Sequence, residues 1–259
     1  MKRFPIAAVV SLGAAVAILA PAAGGTQTPA PQYFVLHQER AKPSMVKEYE
    51  STTREFVALV KANKAKMPHF SFNAFVSPDF TYSYVSPIPD LAGLDAINAD
   101  FGALAQAAGP ALFDLNKRGG VAMERVDESI IQRLPEQSYA PAEPRLEPGR
   151  ARYYHYRFYY VIPGREPEAE AIGQEYLKLF KAKGIKNGYT VYKGVMSADL
   201  PYYFVSEGAL DAADFAAEDA KTAAAVGPEL QALGARLMAL TRRYETREAV
   251  PRPDLSVPR

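Results

Sequence analysis

Two of the three histidines of this 259-residue chain lie in two short aromatic stretches, each with a charged residue two places on. Residues 153–160 read YYHYRFYY, six rings with His155 and Arg157 at alternate places; residues 33–40 read YFVLHQER, with His37 and Glu39 spaced the same way. In an extended segment residues two apart share a face. His155 and Arg157 therefore join Tyr153 and Tyr159, and His37 and Glu39 join Val35. A histidine there could take a proton from a phenolic or enolic ligand, and Arg157, Lys193 or a tyrosine hydroxyl could steady the resulting anion. The same alternation adds Asn73, Ser83, Lys193 and Tyr203. The catalytic candidates are thus His37, His155 and Arg157. The ligand-binding set is His37, Glu39, Asn73, Ser83, His155, Arg157, Tyr159, Lys193 and Tyr203. The alternative is that these groups satisfy one another, Glu39 with Arg157 for instance.

Other chemistries are excluded or unsupported. With no cysteine there are no disulfides, thiolate nucleophiles, acylated lipoprotein cysteine or Cys-based zinc site. No G-x-S-x-G, H-E-x-x-H, phosphate-binding glycine loop or dinucleotide fingerprint occurs. His37, Glu39 and His155 have the composition of a two-histidine, one-carboxylate iron site. They belong to opposite halves of the chain, however, and no metal or cofactor is expected.

The N-terminus places Lys2 and Arg3 before an apolar run, 6–20, followed by Ala22 and Ala23. This is the layout of a cleavable secretory leader over 1–23, followed by a polar linker over 24–32. The expected location is the periplasm or outside the cell, with no membrane attachment after cleavage. The formal charge is +1 for the whole chain, and losing Lys2 and Arg3 leaves about −1. Such a balance gives no electrostatic case for nucleic acid.

The chain repeats itself. KEYESTTREFVALVKANK at 47–64 lines up with PEAEAIGQEYLKLFKAKG at 167–184, matching Glu55 with Glu175, Phe56 with Tyr176 and Leu59 with Leu179. The same spacing pairs Asp79 with Asp199 and Tyr82 with Tyr202. After a two-residue deletion, Gly109-Pro110 matches Gly227-Pro228. A colinear series with one small gap reads as a tandem duplication, with copies at 33–139 and 153–250, a linker at 140–152 and a Pro-rich tail at 251–259.

Each copy has one order of elements. YFVLHQER is a strand, and a helix follows with Met45, Tyr49, Thr52, Phe56, Leu59 and Asn63 on one stripe. HFSFNAFV and FTYSYVS are strands joined through Ser77, Pro78 and Asp79. A helix over 91–117, interrupted at Gly109, leads to a last strand, MERVDESIIQRL. The unit is β-α-β-β-α-β, ferredoxin-like, with helices on one sheet face only. The other face must be buried. The second copy supplies the cover, so the fold class is α+β: two tandem repeats forming one intramolecular eight-stranded α/β barrel, helices outside. Within it Tyr154, Tyr156, Phe158 and Tyr160 are expected to pack on the helices, and the His155/Arg157 and His37/Glu39 faces to look into the interior.

In element order, duplication and aromatic strands the chain resembles the dimeric α/β-barrel superfamily, with its NIPSNAP-like, EthD-like and antibiotic-biosynthesis-monooxygenase-like families. That superfamily includes cofactor-free monooxygenases, isomerases and haem enzymes, so the resemblance does not choose an activity. Haem-peroxidase relatives carry their axial histidine outside the first strands, and haem-degrading relatives use tryptophan, of which this chain has none. The expected function is binding of a small apolar or aromatic ligand between the two repeats by a monomer with an internal pseudo-dimer. The alternatives are a cofactor-free monooxygenase or isomerase acting on a phenolic or enolic molecule, and a non-catalytic scaffold with a filled barrel.

Overall fold

The computed structural model describes residues 32–259; the expected leader and nearly all of the linker behind it lie outside the described residues. The first half runs β1 (Tyr33–Ala41), α1 (Val46–Ala62), β2 (Asn73–Val76), β3 (Thr81–Ile88), α2 (Gly93–Ala122) and β4 (Met123–Arg133). The second runs β5 (Tyr153–Val161), α3 (Glu166–Ala182), β6 (Thr190–Met196), β7 (Tyr202–Ala209), α4 (Ala212–Val226), α5 (Pro228–Ala239) and β8 (Thr241–Pro251). All eight strands pair antiparallel in the order β1-β3-β2-β8-β5-β7-β6-β4, which closes on itself through β4 and β1. The halves join at two seams, β2 to β8 and β4 to β6. Among the described residues, no helix is long and apolar enough to cross a membrane.

The helices form where the apolar spacing asks for them. In α1 the buried residues Tyr49, Thr52, Phe56, Val57 and Val60 recur at three- and four-residue intervals and lie against the sheet. The interruption expected at Gly109 is present as a kink with φ 38° and ψ −110° inside α2, and the helix continues to Ala122. In the second half Gly227, at φ 70°, breaks the helix completely, and Pro228 starts α5. Both positions need glycine because a side chain disfavours positive φ, and proline loses nothing where a first-turn N–H has no partner.

The faces of the two first strands are the reverse of the expectation, whereas Ser83 and Asn73 do face the interior as expected. Tyr154, Tyr156 and Phe158 point into the barrel with Leu36, Phe75, Tyr192 and Phe204, leaving a space of about 70 Å³. Rings of the two halves meet there edge to face: Phe34 on Tyr192 at 5.9 Å and Phe75 on Tyr154 at 5.4 Å. Arg157 and Tyr159 instead face the helices of their own half, and His155 stacks on Phe215 of α4 at 4.3 Å. His37 and Glu39 likewise face α1, through Tyr49. The physical reason is that a narrow eight-stranded lumen is closed best by large rings, while the helices bring hydroxyls and carboxylates to the polar face. A wider mouth at one end of the barrel, about 850 Å³, is lined by paired charges such as Arg243 with Glu245 and Arg125 with Asp127.

The tail is a tie between the halves rather than a loose extension. Leu255 is fully buried, Val257 bridges to Phe72, and the Ser256 hydroxyl accepts a bond from the Ala74 amide. Arg252 forms a two-pronged pair with Glu50 on α1.

Candidate functional site

Turning the polar faces outward puts them into two separate layers, one between sheet and helices in each half. In the first half His37 is buried, with Nε2 3.0 Å from Glu39 and Nδ1 3.8 Å from Glu128. Burial by itself would lower the His37 pKa. The Glu128 and Glu39 carboxylates overcome that and raise it to about 9, so His37 is an imidazolium at neutral pH. Glu128, at 3.8 Å, acts through its charge, since that distance is too long for a hydrogen bond. The Tyr49 hydroxyl donates to Glu39 and lies 2.6 Å from the Tyr84 hydroxyl. Burial raises both phenols well above their ordinary value, so they remain protonated. This layer is nearly full, with a residual space of about 70 Å³ among Tyr49, Thr53, Phe56 and Tyr84.

The second half has the same elements and a different interior. Between β5, β6 and β7 on one side and α3, α4 and α5 on the other lies a cavity of about 320 Å³. Its walls are largely apolar, from Val161, Val191, Val205, Phe180 and Leu237, with the rings of Tyr159, Tyr176, Tyr189 and Tyr203. Pockets of about 300–1,000 Å³ with this make-up are the usual small-molecule sites, and this one suits a molecule of one or two rings. The Tyr189 hydroxyl is buried there without a hydrogen-bond partner, and burial raises its pKa, so it keeps a proton to donate. At one edge Arg157 donates to Glu207 and, at 2.7 Å, to Asp219 of α4.

Why the layers differ can be read residue by residue. α1 and α3 are both 17 residues long, so Tyr49 corresponds to Ala169 and Thr53 to Gly173. Tyr84 lies opposite His37, and Val205 lies opposite Arg157, so Tyr84 corresponds to Val205. Two phenol rings that fill the first layer are an alanine and a valine in the second. Gly173 also admits Gln137, whose Oε1 would lie 2.4 Å from a Cβ there.

The nine sequence-derived residues are therefore dispersed over three compartments. Ser83 faces the lumen, where the Gln38 amide donates to its hydroxyl at 3.0 Å, and Asn73 shares that face opposite Val85. His37 and Glu39 lie in the first layer. Arg157, Tyr159 and Tyr203 line the second-half cavity. Lys193, paired in register with Tyr203, lies on the same face, 3.9 Å from Glu170, which also accepts from the Tyr203 hydroxyl. His155 sits beside them under Phe215, its pKa lowered by burial and then by Arg157. The Glu39–Arg157 pair offered by the alternative reading does not form, because each finds partners within its own half. Tyr176, Tyr189, Glu207 and Asp219 were missed. The signal that could have pointed to the layer they line was the repeat itself, which sets Ala169 and Gly173 against Tyr49 and Thr53.

Among the described residues, no group of three or more His, Asp or Glu is placed to hold a metal ion. His37 and His155 lie in different layers, so the iron-type triad is not assembled. Nor do the cavity walls fit haem: among the described residues no histidine, cysteine or methionine lines them, and burial keeps the Tyr159 and Tyr189 phenols protonated instead of phenolate.

An antiparallel eight-stranded sheet with its helices on one side is a ferredoxin-like α+β architecture, and solved structures share it. An anthrone oxidase-like protein superposes with a TM-score of 0.57 at 13% identity, covering 86% of this chain and 92% of that one. A candidate monooxygenase from Fusobacterium nucleatum gives 0.52 at 14% identity, covering 90% and 100%. A chlorite dismutase mutant from Candidatus Nitrospira defluvii gives 0.51 at 12%, covering 88% and 94%. At such identities the likeness is one of fold. No family model matches the chain, and no curated protein matches its sequence.

Proposed function

We propose that this protein binds a small, largely apolar or aromatic molecule in the cavity between the second-half sheet and α3, α4 and α5. The observation that carries this reading is a roomy apolar cavity with a buried, unpartnered Tyr189 hydroxyl, set beside an equivalent layer that is packed shut. An unpartnered buried donor costs stability, and a ligand oxygen would satisfy it. The reading relocates the site from between the repeats, where the aromatic lumen keeps a space of about 70 Å³ and the wider mouth is lined by paired charges, to within one of them. We further propose that the protein is an exported monomer that arose by duplication of a unit like those of the NIPSNAP, EthD and antibiotic-biosynthesis-monooxygenase families.

A cofactor-free oxygenase or isomerase is the second reading, favoured by the names of the monooxygenase and anthrone oxidase-like neighbours. Against it, the cations that would steady an anion are committed: Arg157 to Glu207 and Asp219, Lys193 to Glu170. Native mass spectrometry of the protein purified from its own host tests the first reading. A co-purifying small organic molecule, lost in Ala169→Tyr, is the expected result. A protein free of ligand that also takes up no neutral aromatic compound would leave the scaffold.

A further inference from the structure

We infer that the second-half cavity selects uncharged ligands and rejects anions of the same shape, a deepening that rests on the binding reading above. The charged side chains of its wall are Arg157, Glu207 and Asp219, one cation against two carboxylates. Arg157 is the one cation among the described residues of the wall, and it is held on both sides: Nη1 donates to Glu207 and Nη2 to Asp219, the latter at 2.7 Å. Glu207 is buried, so even if the half-exposed Asp219 turned to solvent, the guanidinium would still be neutralised from within. An incoming carboxylate would lose its water against apolar walls, find no free cation, and sit close to at least one fixed negative charge.

The neighbouring groups do not alter this balance. His155 has its pKa lowered by burial and by Arg157, so it adds no positive charge at neutral pH. Lys193 is turned toward Glu170. What the cavity does offer is a neutral donor, the Tyr189 hydroxyl, suited to a carbonyl or hydroxyl oxygen on an otherwise apolar ring system.

The test is calorimetric titration of the mature chain at pH 7 with two probes of one shape, 2-naphthol and 2-naphthoate, and with Ala169→Tyr as the site control. Selection for neutral ligands requires 2-naphthol to bind at least about tenfold more tightly, with Asp219→Asn narrowing the gap by improving the naphthoate. Equal or tighter binding of 2-naphthoate at a site blocked by Ala169→Tyr overturns the charge selection and leaves the cavity reading standing. Absence of binding by either probe, or 2-naphthol binding that Ala169→Tyr does not weaken, overturns the cavity reading and the selection with it.

Discussion

The two sheet–helix layers of this protein are built from the same order of elements and end as opposites. The first closes around Tyr49 and Tyr84, whose hydroxyls, with Glu39, extend a hydrogen-bonded chain from the buried His37. The second has Ala169 and Val205 at those places, and a cavity of about 320 Å³ remains. One layer therefore holds structure and the other is free to hold a ligand. The difference shows that two halves with one order of elements can be packed shut or left open by the side chains at two positions, Tyr49 against Ala169 and Tyr84 against Val205.

The largest expected effect comes from breaking the filled layer. Tyr49→Ala removes a buried ring and the donor to Glu39 Oε2, and should cost about 4 kcal/mol in urea unfolding. A loss below about 1 kcal/mol would mean that the first layer is not packed as described. Next is the charge of His37. Its folded pKa, about 9, lies above the unfolded 6.5, so its contribution is complete below about pH 6.5 and is lost as pH rises through 9. On the order of 3 kcal/mol should disappear between pH 6 and pH 10. That loss should be absent from His37→Gln measured in parallel.

Ala169→Tyr converts the open layer toward the closed one. It should weaken binding of a neutral aromatic probe by tenfold or more, roughly 2 kcal/mol, while the far-UV circular dichroism is kept. The smallest effect concerns the tail. Glu50 has its pKa lowered to about 2, first by hydrogen bonds from Arg252, and Arg252→Ala should cost about 1 kcal/mol. It should also remove the part of the acid sensitivity that appears as pH falls below about 4.5 toward 2. An unchanged acid limb in that variant would dissociate the tail from α1.

Much of this architecture was legible because the repeat fixes element order independently of any single assignment. Gly109 and Gly227, the boundaries of the first strands and the barrel closure all follow from it. Which strand face turns inward was not legible. Both faces of β5 carry rings, so hydrophobicity could not choose, and a period of two makes the choice all or nothing. The repeat match also slipped by one residue in the third strands: the sequence pairs Tyr82 with Tyr202, whereas Tyr82 lies opposite Glu39 as Tyr203 lies opposite Tyr159. Tyr82 accordingly packs on Tyr49 at 4.5 Å beneath α1, while Tyr202 stands beside the lumen ring of Phe158 at 6.2 Å. Of the candidate site, Arg157, Tyr159 and Tyr203 were reached by correct grouping on the wrong side. Tyr189 was not, because an unpartnered hydroxyl is a property of packing and has no trace in sequence.

The most direct measurement is a crystal structure of the protein with 2-naphthol bound. The account requires density for the rings between β5–β7 and α3, with the naphthol oxygen within hydrogen-bond distance of the Tyr189 hydroxyl. Density in the barrel lumen against Phe158 and Phe204, or in the first-half layer beside Tyr49, would contradict it.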